Sequence, residues 1–324
     1  MASNAKSPSG YRLAKTVHIG GEGGWDYLIV DDNARRLYVT HASKVHVLNA
    51  DTFDIVGEIP TEGAHGVAIA SPFGRGFASN GASGTVTVFD LKTLRVSGQI
   101  TVGQNPDSIR FDPASKKVFV FNGRSHDASV IDAATEEVVA TIPLGGKVEF
   151  SVSDGEGHVY VNNEDKSEVD VIDSQTLKLI AQYPLGQGQA PTGLALDPKK
   201  RRLFSVCRNK FMIVTDADNG QILASLPIGT GSDGCGFDPE TGFAFSSNGE
   251  GTLTVVREET PGLYAVLDTV TTRRAGRTMT IDPRTHSVFI PTAEQGPTPP
   301  ATAEQPRPRP PVIPDTFVLM QFKR

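Results

Sequence analysis

The chain has 324 residues, with 37 acidic side chains against 31 basic ones and a formal net charge of −6. That balance argues against a generic phosphate-binding surface, which needs clustered lysine and arginine, so nucleic acid is not an expected partner. No stretch approaches the roughly 20 apolar residues of a membrane-spanning helix, and two cysteines are too few for a disulfide framework.

In chain order, residues 1–10 are small and polar, contain no signal-peptide core, and read as a disordered tail. Residues 11–324 read as one domain, expected to be monomeric. The segment Ala14 to Gly21 reads as a strand running into glycine. From Trp25 onward one unit recurs about every 40 residues. Each copy has an apolar strand, a polar turn such as Asp112-Pro113, Asp197-Pro198, Asp238-Pro239 or Asp282-Pro283, and a second strand ending in a four-residue tag.

The seven tags are Tyr38-Val39-Thr40-His41, Phe77-Ala78-Ser79-Asn80, Phe119-Val120-Phe121-Asn122, Tyr160-Val161-Asn162-Asn163, Phe204-Ser205-Val206-Cys207, Phe245-Ser246-Ser247-Asn248 and Phe289-Ile290-Pro291-Thr292. Two further alternating strands follow a typical tag, as in Val86 to Asp90 and Ala140 to Leu144. Four short strands per unit with period-two alternation describe a propeller blade, so the fold class is all-β, a seven-bladed β-propeller. The last unit ends after its third strand, Thr316 to Phe322, and the N-terminal strand is predicted to complete that blade and close the ring. A segment from Pro291 to Pro314 carries nine prolines together with Arg307 and Arg309. It favours extended conformation, and it reads as a lid over the mouth, a partner-binding strip or a surface loop.

The tags resemble those of the YVTN-repeat family of seven-bladed propellers, over nearly the whole chain from about Tyr11 to Arg324. The resemblance implies a fold related to WD-repeat and lactonase-type propellers, and it allows a periplasmic or secreted location. It implies no single function, since such propellers host binding proteins and several enzyme chemistries.

Superposed repeats place equivalent residues in rings, and two rings belong on the face where the central channel opens. The residues that start the innermost strands are Asp26, His65, Asp107, Glu149, Thr192, Asp233 and Arg277. Four carboxylates brought together repel, and protonation, a cation, or His65 and Arg277 as partners would relieve them. The tag-end ring is His41, Asn80, Asn122, Asn163, Cys207, Asn248 and Thr292. Asparagine there also suits tight turns, and Cys207 reads as a packed thiol. Trp25 beside Asp26 offers an aromatic face to a flat ligand or a wedge between blades. Arg124 and Arg208, each just after a tag, complete the candidate ligand-binding set with Trp25, His41, Asn80, Asn122, Asn163 and Asn248.

Two functions remain open from the sequence. One is a propeller that binds a small polar ligand, a metal ion or a protein partner at the channel mouth. The alternative is a metal-assisted hydrolase, lactonase or lyase, with Asp26, Asp107, Glu149 and Asp233 holding a divalent cation, His65 as general base and Arg277 stabilising an oxyanion. Oxygen ligands would favour calcium or magnesium, whereas recruitment of His41, His65 or Cys207 would favour zinc or copper.

Overall fold

Seven antiparallel four-stranded sheets account for nearly all regular structure in the computed structural model, which describes residues 7–302, 308 and 310–324. Arg307, Arg309 and the first six residues of the expected tail lie outside the described residues. Blade 1 shows the pattern, with strands Trp25–Asp31, Arg36–His41, Lys44–Asn49 and Ile55–Pro60 hydrogen-bonded in that order from the axis outward.

Burial explains the order. The second and third strands read as continuous apolar runs because both of their faces are covered by neighbouring blades, as in Lys117–Asn122 and Asp127–Asp132. The fourth strands alternate and expose Ile55, Val96, Val138 and Ile222 at the rim. The core therefore lies between blades. One cluster joins Phe77, Val86 and Val88 of blade 2 to Ile109, Val118 and Val120 of blade 3.

Closure follows the predicted route. Arg12–His18 pairs antiparallel with Val318–Lys323, from Arg12↔Lys323 to His18↔Val318, and forms the outer strand of blade 7. Ser7 and Ser9, expected in a disordered tail, instead hydrogen-bond the Asp268 carboxylate, and Ser9 is buried. Tyr11 is buried against Phe245 at a centroid distance of 5.1 Å and donates to His286 O at 2.8 Å.

The proline-rich segment differs in extent from its sequence reading. Pro291 and Thr292 still belong to the second strand of blade 7, Ser287–Thr292, and a single bridge joins Gln295 to Val312. A cavity of about 650 Å³ separates the segment from the Arg273–Arg274 turn. Asp315 ties its C-terminal end to the loop before blade 1 by accepting from Gly21 N at 3.3 Å. No helix among the described residues is long and apolar enough to cross a membrane.

Candidate functional site at the channel mouth

The strand-start and tag-end rings lie on the same face, because in blades 1 to 6 the first residue of the inner strand pairs with the last residue of its tag. Examples are Trp25↔His41, Ala64↔Asn80, Pro106↔Asn122 and Ser232↔Asn248. The register then slips in each of these ladders. Asp26, His65, Asp107 and Asp233 fall in these irregular turns of backbone, where a bulge re-aims a side chain out of the ladder.

A second device fixes them. In blades 1, 2, 4 and 6 the third tag residue reaches across to the next blade and donates to the carbonyl of its strand-start residue. Thr40 Oγ1 donates to His65 O at 3.2 Å, Ser79 Oγ to Asp107 O at 2.5 Å, Asn162 Nδ2 to Thr192 O at 2.9 Å and Ser247 Oγ to Arg277 O at 2.5 Å. Blade 7 has Pro291 at this position, and Thr278 Oγ1 makes the corresponding bond to Asp26 O at 2.8 Å. Sequence reasoning missed these stitching residues, although a small hydroxyl or amide at the third tag position of blades 1, 2, 4 and 6 was visible.

The strand-start side chains pair around the ring. His65 Nδ1 lies 2.5 Å from Asp26 Oδ2 and 3.7 Å from Asp107 Oδ1. Arg277 Nε donates to Asp233 Oδ2 at 2.8 Å, and its Nη2 lies 3.7 Å from Asp26 Oδ1. Asp107, His65, Asp26, Arg277 and Asp233 thus form one chain across five blades. Glu149 belongs to a separate group, contacted by Lys147, which also binds Glu164, and approached by Arg208 at 3.7 Å. Thr192 takes no part in the charge pairing and instead donates to Ser232 O at 3.0 Å.

The electrostatics follow from burial. Desolvation pulls the His65 imidazole down, but the hydrogen bond to Asp26 and the charges of Asp107 and Asp26 outweigh it and hold its pKa at about 9. Burial, then the Asp26 charge, raises Asp107 to about 7 against the opposing pull of His65. Burial and the Asp107 charge lift Glu149 well above the carboxylate range. Its neighbour Glu164 falls to about 2, because hydrogen bonds from Glu149 and Lys147 overcome its own burial. Asp107 Oδ1 is buried without a hydrogen-bond partner among the described residues, as are Asn122 Oδ1 and Trp25 Nε1 of the candidate set. Asp26, His65 and Asp107 each present a ligand atom within 4.8 Å of the others.

The other candidates separate into two sets. Asn80, Asn122, Asn163 and Asn248 are fully buried. Their amides bond third-strand side chains of their own blades, as in Asn80 to Thr87 at 2.9 Å, Asn122 to Ser129 at 3.0 Å, Asn163 to Asp170 at 2.9 Å and Asn248 to Thr254 at 3.0 Å. His41 is buried, stacked on Phe317 at 4.1 Å, with Nδ1 3.2 Å from His46 Nε2. Cys207 is fully buried, and burial pushes its thiol up to about 12. His41 and Cys207 therefore stand inside their blades. Trp25 is buried, packed against Phe317 at 5.6 Å, with the Arg277 guanidinium over its ring at 6.0 Å. Arg208 is engaged by Glu164 at 2.7 Å. Arg124 lines a mouth cavity of about 380 Å³ together with Asp26 and His65, and no described residue of the proline-rich segment does so.

These features define a closed seven-bladed β-propeller with a partly self-neutralised charge ring at one mouth of its channel. No family model matches the sequence, and no curated protein does. Among solved structures, the chain is similar to the Kuenenia stuttgartiensis hydrazine synthase, with a TM-score of 0.73 and 15% identity, covering 83% of this chain and 92% of that one. At that identity the likeness is one of fold, and no activity passes across it.

Proposed function

We propose that the protein is a YVTN-type binding propeller whose mouth takes a divalent cation, free or carried by a small polar ligand, on Asp26, His65 and Asp107. The observation that carries this reading is Asp107 Oδ1, buried without a hydrogen bond 3.7 Å from His65 Nδ1, in a group with Asp26 whose ligand atoms lie within 4.8 Å of one another. A carboxylate oxygen left without a donor in a desolvated place is costly, and a cation would remove that cost. Two carboxylates and an imidazole suit zinc, a borderline metal, or manganese, a hard ion that accepts a nitrogen ligand, better than calcium. Glu149 and Asp233, the other carboxylates of the ring, have their own cations in Lys147 and Arg277, which narrows the ligand set to three.

The hydrolase or lactonase alternative asks His65 to act as a free base and Arg277 to face an oxyanion. Both side chains are engaged by ring carboxylates, so the geometry favours binding over that chemistry. The test is elemental analysis of protein purified without chelator, paired with calorimetric titration of Zn²⁺ and Mn²⁺ into wild type and Asp107→Asn. Stoichiometric metal, or micromolar binding weakened about tenfold or more by the substitution, is expected. No metal and no heat with either ion would overturn the reading.

A further inference from the structure

Below the charge ring the channel changes character. The inner strands run from the mouth to the turns containing Pro113, Gly155 and Pro198, and along that lower half they enclose a cavity of about 510 Å³. Phe111, Phe150, Val152, Leu196, Phe237 and Ile281 give it apolar walls. Tyr27, buried edge-on to Phe150 at 4.8 Å, stands between this cavity and the ring, and the lower and upper cavities share no lining residue. The cavity opens on the face opposite the mouth.

One cation stands in this apolar space. Arg110 lines the cavity, its guanidinium 5.4 Å from the centre of the Phe150 ring, with Nε and Nη2 both donating to Ser151 O at 3.2 and 2.9 Å. Among the described residues no carboxylate lies within ion-pair distance of it, and burial alone pushes its pKa down to about 10. The one acidic side chain lining the cavity, Asp154, is already bound by Arg201 Nη1 at 2.9 Å, His158 Nδ1 at 3.0 Å and the amides of Glu156 and His158. Every arginine of the mouth charge network has a carboxylate partner; Arg110 does not. Arg110 is half-buried, and a guanidinium partly withdrawn from water into apolar surroundings is normally paired, because its desolvation is otherwise unrelieved. Its planar fork retains donors beyond the two given to Ser151 O.

We propose that this cavity is a second binding site, for a small amphipathic monoanion whose carboxylate pairs with Arg110 and whose apolar body lies against the aromatic and aliphatic walls. The volume is in the range of small-ligand pockets, and apolar walls with a single charged group fix both the class and the orientation of the guest. The site goes beyond the mouth reading and is independent of it, since it uses no residue of the charge ring.

The test uses decanoate, decanol and decyltrimethylammonium as probes on the intact chain, with binding followed by calorimetry and native mass spectrometry. Decanoate is expected to bind with 1:1 stoichiometry and more tightly than the alcohol or the cation of equal chain length. Arg110→Met is expected to weaken decanoate by about tenfold or more while leaving decanol unchanged. Equal affinity for anion and alcohol, or decanoate binding that survives Arg110→Met, would overturn the proposal, as would no binding of any probe. Should Arg110→Met fail to fold, the preference of wild type among the three probes decides alone.

Discussion

At the tag-end position of blade 1, histidine replaces the asparagine of blades 2, 3, 4 and 6, and its partner changes with it. Asn80 bonds Thr87, Asn122 bonds Ser129, Asn163 bonds Asp170 and Asn248 bonds Thr254. In blade 1 the same latch is His41 with His46, and in blade 5 it is apolar, Cys207 packed with Ile213. Burial, helped by the His46 and Lys44 charges and opposed by a hydrogen bond with the Gly23 backbone and by Glu58, lowers the His41 pKa to about 4. His46 is lowered as well, by burial, with Glu58 opposing at 3.1 Å. The unfolded chain takes up these protons near pH 6.5, whereas folded His41 resists until about 4. The stabilisation is therefore complete above 6.5 and is lost as pH falls through about 4. Urea midpoints at pH 7 and pH 5 should drop on acidification. The double substitution His41→Asn with His46→Thr, which recreates the blade 2 latch, should flatten that drop; an unchanged pH slope would show that the pair is not responsible.

The strand pattern of each blade was legible because repetition overrides local ambiguity. A short apolar run such as Val118 to Phe121 does not identify itself as strand or helix, but its seven copies do. The strand-start ring was legible for the same reason, while its pairing was not, since contacts between blades depend on tilt and on the bulges at Asp26, His65 and Asp107. Departures from the repeat were hidden as well. Blade 2 has Ala70 where most blades have aspartate, and a short 3₁₀ turn, Ser71–Phe73, replaces the carboxylate-capped turn seen at Asp112 and Ser115. Blade 6 ends in a long hairpin, Thr252–Thr260 with Leu263–Thr271, and the inner strand of blade 7 is reduced to Thr280–Asp282. The stitches from tag to next blade carry a prediction at this scale. Ser79→Ala removes the donor to Asp107 O and Ser247→Ala the donor to Arg277 O. Each should cost about 1 to 2 kcal/mol in urea unfolding, as expected for an orphaned buried carbonyl. Ser79→Ala should also weaken metal uptake at the mouth, whereas Ser83→Ala, on an exposed loop of the same blade, should change neither.

The seam that closes the ring, between blades 7 and 1, holds an apolar cluster of the same kind as those between other blades, with Leu28, Leu37 and Val39 against Phe289, Phe317 and Leu319. The N-terminal strand Arg12–His18 adds a ladder and little apolar burial, since most of its residues are exposed. Tyr11 just before it is buried between blades 6 and 7. At the seam between blades 7 and 1, Trp25 packs on Phe317, and Arg35 holds Asp282 with two hydrogen bonds of 3.0 and 2.7 Å. Removal of residues 1–19 therefore subtracts the Tyr11 anchor and leaves Val318–Lys323 as an open edge. The truncated chain is expected to melt about 10 °C lower or more, and to aggregate with a concentration dependence that the intact protein lacks, because an unpaired edge is a template for another chain. A synthetic peptide spanning Tyr11 to Gly20, added in excess, should restore part of the lost melting temperature, since the ladder from Arg12↔Lys323 to His18↔Val318 needs no covalent link to form. Tyr11→Ala separates the two contributions. A small fall with no aggregation would place the burden on the edge strand, whereas a fall equal to that of the truncation would place it on the aromatic contact with Phe245 and leave the strand as a cover. If the truncated chain melted where the intact protein does, the other seam contacts alone would suffice to hold the seven blades in a closed ring.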